Sequence, residues 1–136
     1  MHMQIYRDPR QLSPFTQTTF ALVKVLQARH GLGLSEYRAL EILVRSQNCE
    51  LRMQELAMHL RLNQSSVSRM VERLERAGFT VRDLCPDDKR GVYAVLTKDG
   101  RTCLERAQPD YEKALEEALK EHGGEKLLTR QRLKPR

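Results

Sequence analysis

The sequence predicts a mainly α-helical fold carrying one small β-hairpin, an α+β class, and three observations predict it. Apolar residues recur at helical spacing in four successive segments up to Ala77. After Gly78 the period drops from about 3.6 to about 2, and from Thr97 it becomes helical again for one long final segment. A length of 136 residues with 40% hydrophobic content fits a single domain spanning 1–136, with material for one modest core.

The first helix is expected over 12–29, with Phe15, Phe20, Val23 and Leu26 as its apolar stripe and Gly31 and Gly33 stopping it. Ser35 reads as the N-cap of a second helix carrying Leu40, Leu43 and Val44, which polar Ser46, Gln47 and Asn48 end before a short connection. Over 52–60, Met53, Leu56, Ala57 and Leu60 fall at i, i+3, i+4 and i+7, a compact third helix. Arg61, Leu62 and Asn63 then break the pattern. Asn63 is placed to cap a fourth helix over 64–77, where Val67, Met70, Val71 and Leu74 repeat the spacing and Gly78 supplies the stop.

Beyond Gly78, Phe79 and Val81 on one side and Val92, Ala94 and Leu96 on the other alternate around the turn-rich stretch 86–91, which reads as a hairpin. Thr97 is placed to cap the last helix, striped by Leu104, Ala107, Tyr111, Leu115, Ala118 and Leu119, with Pro109 expected to kink it. Gly123 and Gly124 break that helix, and a basic stretch with Lys126, Arg130, Arg132, Lys134 and Arg136 follows. No internal repeat and no low-complexity linker interrupts the chain.

Several function classes fall away on composition and spacing. No apolar run of about 18 residues is present, and the N-terminal stretch lacks the apolar centre of a signal peptide, so a cytoplasmic protein without a membrane partner is expected. Cys49, Cys85 and Cys103 are an odd number without a CxxC pair, and His2, His30, His59 and His122 form no HxxxH pair. Neither a disulfide framework nor a metal site is suggested, and no cofactor motif is present. Without a Gly-rich phosphate loop, a nucleophile elbow or paired metal ligands, an enzyme is not expected.

The formal charge of +6 suits a polyanionic partner without specifying one. The order helix, tight turn, helix, hairpin over 52–97 is more specific: it is that of a winged helix-turn-helix. Packing the apolar stripe of 64–77 inward leaves Gln64, Ser65, Ser68, Arg69, Glu72, Arg73 and Arg76 on or near the outer face. Short serines permit close approach to a major groove, backbone N–H groups at the helix start accept a phosphate, and arginines reach guanine edges. The competing reading is a capped helix with a solvated charged face. At the hairpin tip, Asp87 and Asp88 oppose phosphate binding, but an Arg90 oriented by Asp88 fits a narrow minor groove. There the alternative is a plain turn with Lys89 and Arg90 solvated.

Residues 34–100 resemble the winged core of the MarR family (multiple antibiotic resistance regulators). The segments LSEYRALEIL, ELAMHLRLNQSSVSRMVERLERAGF and DDKRGVYAVLTKDG carry the likeness, and Asp-x-Arg followed by a strand and Leu-Thr-x-x-Gly is its most specific part. The resemblance implies a regulator that binds palindromic double-stranded DNA as a homodimer, commonly a repressor released by a small-molecule effector. It puts Gln64, Ser65, Ser66, Ser68 and Arg69 at the start of the recognition helix and Asp88 and Arg90 at the wing tip. It also assigns the helices at 12–29 and 98–133 to dimerisation. Alternatives are a cysteine-based redox-responsive regulator, with Cys85 beside the wing, and a winged domain that docks proteins.

Overall fold

The computed structural model describes residues 12–84 and 91–121. In chain order these form α1 (Pro14–His30), α2 (Leu34–Arg45), a 3-10 turn (Gln47–Cys49), β1 (Glu50–Arg52), α3 (Met53–Leu60), α4 (Gln64–Arg76), β2 (Thr80–Leu84), β3 (Val92–Leu96) and α5 (Lys98–Glu121). The expected mainly helical α+β class, with a winged helix-turn-helix, is the fold found.

Helices α2, α3 and α4 close around one core. Tyr37, Leu40, Leu43, Leu56, Val67, Met70, Val71 and Leu74 are essentially inaccessible there, and Ala94, Leu104 and Ala107 complete it from the sheet and α5. The spacing that predicted α3 and α4 is therefore the spacing that buries them. Asn63 caps α4 as expected, its Oδ1 accepting from the Ser66 N–H at 2.8 Å. Arg61, in the left-handed region at φ 55°, makes the turn that reverses the chain between the two helices.

Two expectations are corrected. The connection after α2 contains a strand: β1 pairs with β3 antiparallel, Leu51 opposite Ala94, giving a three-stranded sheet of order β1-β3-β2. Ser35 does not cap α2. The cap position falls two residues earlier, at Gly33, whose carbonyl accepts from the Tyr37 N–H, so that Leu34 is drawn against the core. The apolar residues of α1 divide between two sides: Leu22 and Leu26 are buried, with Thr18, whereas Phe15, Phe20 and Val23 are 82%, 61% and 41% exposed. The cause is that α1 packs lengthwise on α5, which uses only the i, i+4, i+8 row. Helix α5 runs from Lys98 to Glu121 with Pro109 inside it; the stretch beyond Glu121 lies outside the described residues.

A polar contact pins the root of the α1/α5 arm. The His30 ring donates from Nε2 to Asp110 Oδ2 at 2.7 Å, and Arg29 reaches Oδ1 of the same carboxylate at 3.3 Å. The His30 hydrogen bond, with help from Arg29, holds the Asp110 carboxyl below its ordinary pKa despite some opposing desolvation. A depressed carboxyl contributes stability above its unfolded pKa and loses it as pH falls through the folded value. Asp110→Ala should thus lower the melting temperature at neutral pH, and the gap to the wild type should close below about pH 4. Melting curves at the two ends of that range check it. A gap equally wide at low pH contradicts the role given to the charge.

Candidate nucleic-acid interface

The exposed side of α4 is assembled at its first turn. Gln64 and Ser65 are open to solvent, and one turn on Arg69 is exposed too, its Nε donating to the Ser65 carbonyl at 3.3 Å. Gln64, Ser65 and Arg69 therefore share one accessible patch at the positive end of the helix dipole. Ser66 and Ser68 are half-buried, and the Ser66 N–H is already taken by the Asn63 cap. Arg73 is more than half exposed but not free: its Nε donates to Glu36 Oε1 of α2 at 3.1 Å. That pair ties the middle of α4 to the body of the domain.

The hairpin rises beside this helix. Strands β2 and β3 pair antiparallel from Thr80 opposite Leu96 out to Leu84 opposite Val92. The expected tip residues Asp88, Lys89 and Arg90, and Cys85 with them, lie outside the described residues, between the two strand ends. At the root, Arg52 donates from Nε to the Tyr93 hydroxyl at 2.9 Å while its guanidinium lies 5.7 Å from the Tyr93 ring centroid, joining β1 to β3.

The junction of α4, wing and α5 explains the most specific part of the sequence pattern. The Thr97 hydroxyl donates to the Gly78 carbonyl at 2.6 Å and accepts from the Gly100 N–H at 3.0 Å, while the Thr97 N–H bonds to the Phe79 carbonyl at 3.0 Å. A Cβ on Gly100 would lie 2.2 Å from the Phe79 oxygen. The Leu-Thr-x-x-Gly pattern is thus a clamp: the start of α5 is held on the turn that ends α4, where Gly78 takes φ 83°.

Sequence reasoning missed the partners of the charged groups. Arg82 on β2 reaches Glu75 and, at 3.9 Å, Glu72, while Arg76 also approaches Glu72 at 3.9 Å. Glu36 was likewise unmarked as the partner of Arg73. A helical period locates a face but not the group that another element brings to it. Of the described thiols, Cys49 Sγ accepts from the Arg101 guanidinium at 3.0 Å, and Cys103 is half-buried, with burial pushing its pKa up. Among the described residues no cluster of three or more His, Cys, Asp or Glu could hold a metal, and no helix is long and apolar enough to cross a membrane.

Comparison with known proteins meets this geometry directly. The sequence profile of the MarR family matches residues 32–92. A MarR family transcriptional regulator from Streptomyces coelicolor, solved in complex with DNA, is 32% identical and superposes with a TM-score of 0.75, covering 90% of this chain and 82% of that one. The chain belongs to the MarR family. Its MarR relatives include the uncharacterized HTH-type transcriptional regulator YkoM of Bacillus subtilis, 36% identical over 80 residues, or 59% of this chain and 51% of that protein. The homoprotocatechuate degradative operon repressor of Escherichia coli is 29% identical over 99 residues, 73% of this chain and 66% of that one. The chain spans about half to two thirds of the length of these curated relatives. All three are named as regulators of transcription, none as an enzyme.

Proposed function

We propose that this MarR family chain is a sequence-specific DNA-binding regulator that represses transcription as a homodimer on a pseudo-palindromic operator. The observation that carries the reading is the α3-turn-α4 unit, whose free patch at Gln64, Ser65 and Arg69 stands at the exposed start of a helix flanked by a wing. The DNA complex of the Streptomyces relative supports the partner, and the Escherichia coli relative's name supports repression. In this proposal Ser66, Ser68 and Arg73 act as supporting positions on α4, and Asp88, Lys89 and Arg90 form the wing tip, with Asp88 orienting Arg90 for a minor groove. Residues 34–100 are the DNA-binding core, and 12–29 with 98–133 the dimerisation helices.

Dimerisation is supported by the apolar side chains that α1 leaves in solvent, Phe15, Phe20 and Val23, beside a groove of about 390 Å³ between α1 and α5 lined by Ala21, Val25, Ala28, Ala114 and Ala118 together with the charged Lys24, Arg29, Glu117 and Glu121. Release by a small-molecule effector is supported where α2 and α5 meet. There Tyr37 stacks on Tyr111, centroids 4.4 Å apart, and its buried hydroxyl has no hydrogen-bond partner among the described residues. An effector bound better by a dimer of altered spacing, one in which this buried tyrosine pair is opened, shifts the protein off its operator.

Footprinting on adjacent intergenic DNA, followed by titrations across salt, tests the reading. A protected pseudo-palindrome with steep salt dependence is expected, and Arg90→Ala should weaken all sites about tenfold while Ser65→Ala or Arg69→Ala changes base preference. Binding indifferent to sequence and salt, or three variants with unaltered affinity and preference, would remove the proposed docking.

A further inference from the structure

We infer that Arg82 is a positioning residue that straps the wing to the recognition helix through Glu72 and Glu75, an inference that rests on the DNA-binding reading. Its local origin is simple. On a strand, residues two apart share a face, so Arg82 lies on the same side of β2 as Thr80, which is 1% exposed; Arg82 itself stays exposed beyond the edge of the core, while Val81 and Asp83 lie on the other side. On α4, Glu72 and Glu75 are three apart and share a face. The guanidinium of Arg82 therefore meets two carboxylates of the neighbouring element, bonding Glu75 through Nε and standing 3.9 Å from Glu72 through Nη2.

The placement matters more than the ion pairs do. Arg82 sits opposite Ala94, midway along strand β2 and two residues before the strand ends at Leu84. A helix in the major groove and a tip in the minor groove engage together only if their separation is set before binding, otherwise ordering the wing is subtracted from affinity. Glu72 and Glu75 are also a liability on a helix meant to approach phosphates, since uncompensated carboxylates repel the backbone. With Arg82 between them they become the anchorage of the wing. Exposed ion pairs contribute little to global stability, so the strap is expected to affect docking geometry and leave the fold intact.

The two accounts of these glutamates predict opposite signs. If they act only through charge, neutralising them tightens DNA binding. If they hold Arg82, neutralising them loosens it. The test uses the full chain and a duplex selected by the wild-type protein from a random pool, with affinities measured for Glu72→Gln/Glu75→Gln, Arg82→Gln and the three substitutions combined. Roughly tenfold weaker binding is expected for each, with the combination no weaker than Arg82→Gln alone, as for groups in one ion-pair network. Melting temperatures should stay within a few degrees of the wild type. Should the double glutamate variant lose its fold, Glu75→Gln alone carries the same test of sign. Glutamate variants that bind as tightly as the wild type or more tightly, or losses that simply add, overturn the strap. A wild-type chain that selects no duplex instead overturns the DNA-binding reading itself.

Discussion

Gly100→Ala should destabilise the domain by about 2 kcal/mol and lower its melting temperature by roughly 8 °C at fixed protein concentration, the opposite of what helix propensity alone predicts. Gly100 lies in the first turn of α5, where alanine normally gains about 1 kcal/mol over glycine. Here an added Cβ meets the Phe79 carbonyl oxygen at 2.2 Å and Leu96 Cδ1 at 2.8 Å. The leucine tip can rotate away. The carbonyl cannot move without giving up its bond from the Thr97 N–H, and the Gly78 carbonyl next to it holds the Thr97 hydroxyl. Overpacking of about 1–3 kcal/mol and a lost hydrogen bond of about 1 kcal/mol outweigh the propensity gain. Because the clamp fixes the end of α4, operator affinity should fall further than the population of folded protein explains. Thermal melts and DNA titrations of the same preparation check both, and a variant melting at or above the wild type would show that α5 can retreat from the turn.

Local order was readable from the sequence wherever one element supplied all the information. The rows Leu56, Ala57, Leu60 and Val67, Met70, Val71, Leu74 are periodic within single helices, and each is buried as its spacing required. The Asn63 and Thr97 caps are likewise local, needing only a side chain and an N–H three residues on. What was not readable depends on a second element. Three residues are too few for β1 to show alternation, and its partner strand lies some forty residues away. Arg73 looked like a solvated or DNA-facing cation until α2 brought Glu36 to it across 37 residues. Of the candidate site, the patch at Gln64, Ser65 and Arg69 was legible because an N-terminal turn exposes its residues by geometry. The part played by Arg82 was not, because it follows from strand alternation and helix phase together.

The same distinction explains α1 and leads to the second large effect. The sequence shows that α1 carries an apolar stripe but not which element covers it, and Phe15, Phe20 and Val23 stand in solvent because α5 covers only the Thr18, Leu22, Leu26 row. Large aromatic surfaces left this open are costly in a solitary domain and are the signature of an association face. If the proposed dimer forms through this face, the wild type should be dimeric at micromolar concentration and Phe15→Glu/Phe20→Glu a folded monomer, since each partner would have to desolvate a carboxylate against apolar surface. The isolated winged core should keep its helical circular dichroism, because neither position contributes to the buried cluster. DNA binding should fall by about a hundredfold or more, because two half-sites held by one dimer act at an effective concentration that separate monomers lack. Light scattering and operator titration of the same samples separate the steps. A variant that remains dimeric would move the interface elsewhere, and a monomeric variant with full operator affinity would mean that one recognition helix and one wing suffice to hold the site.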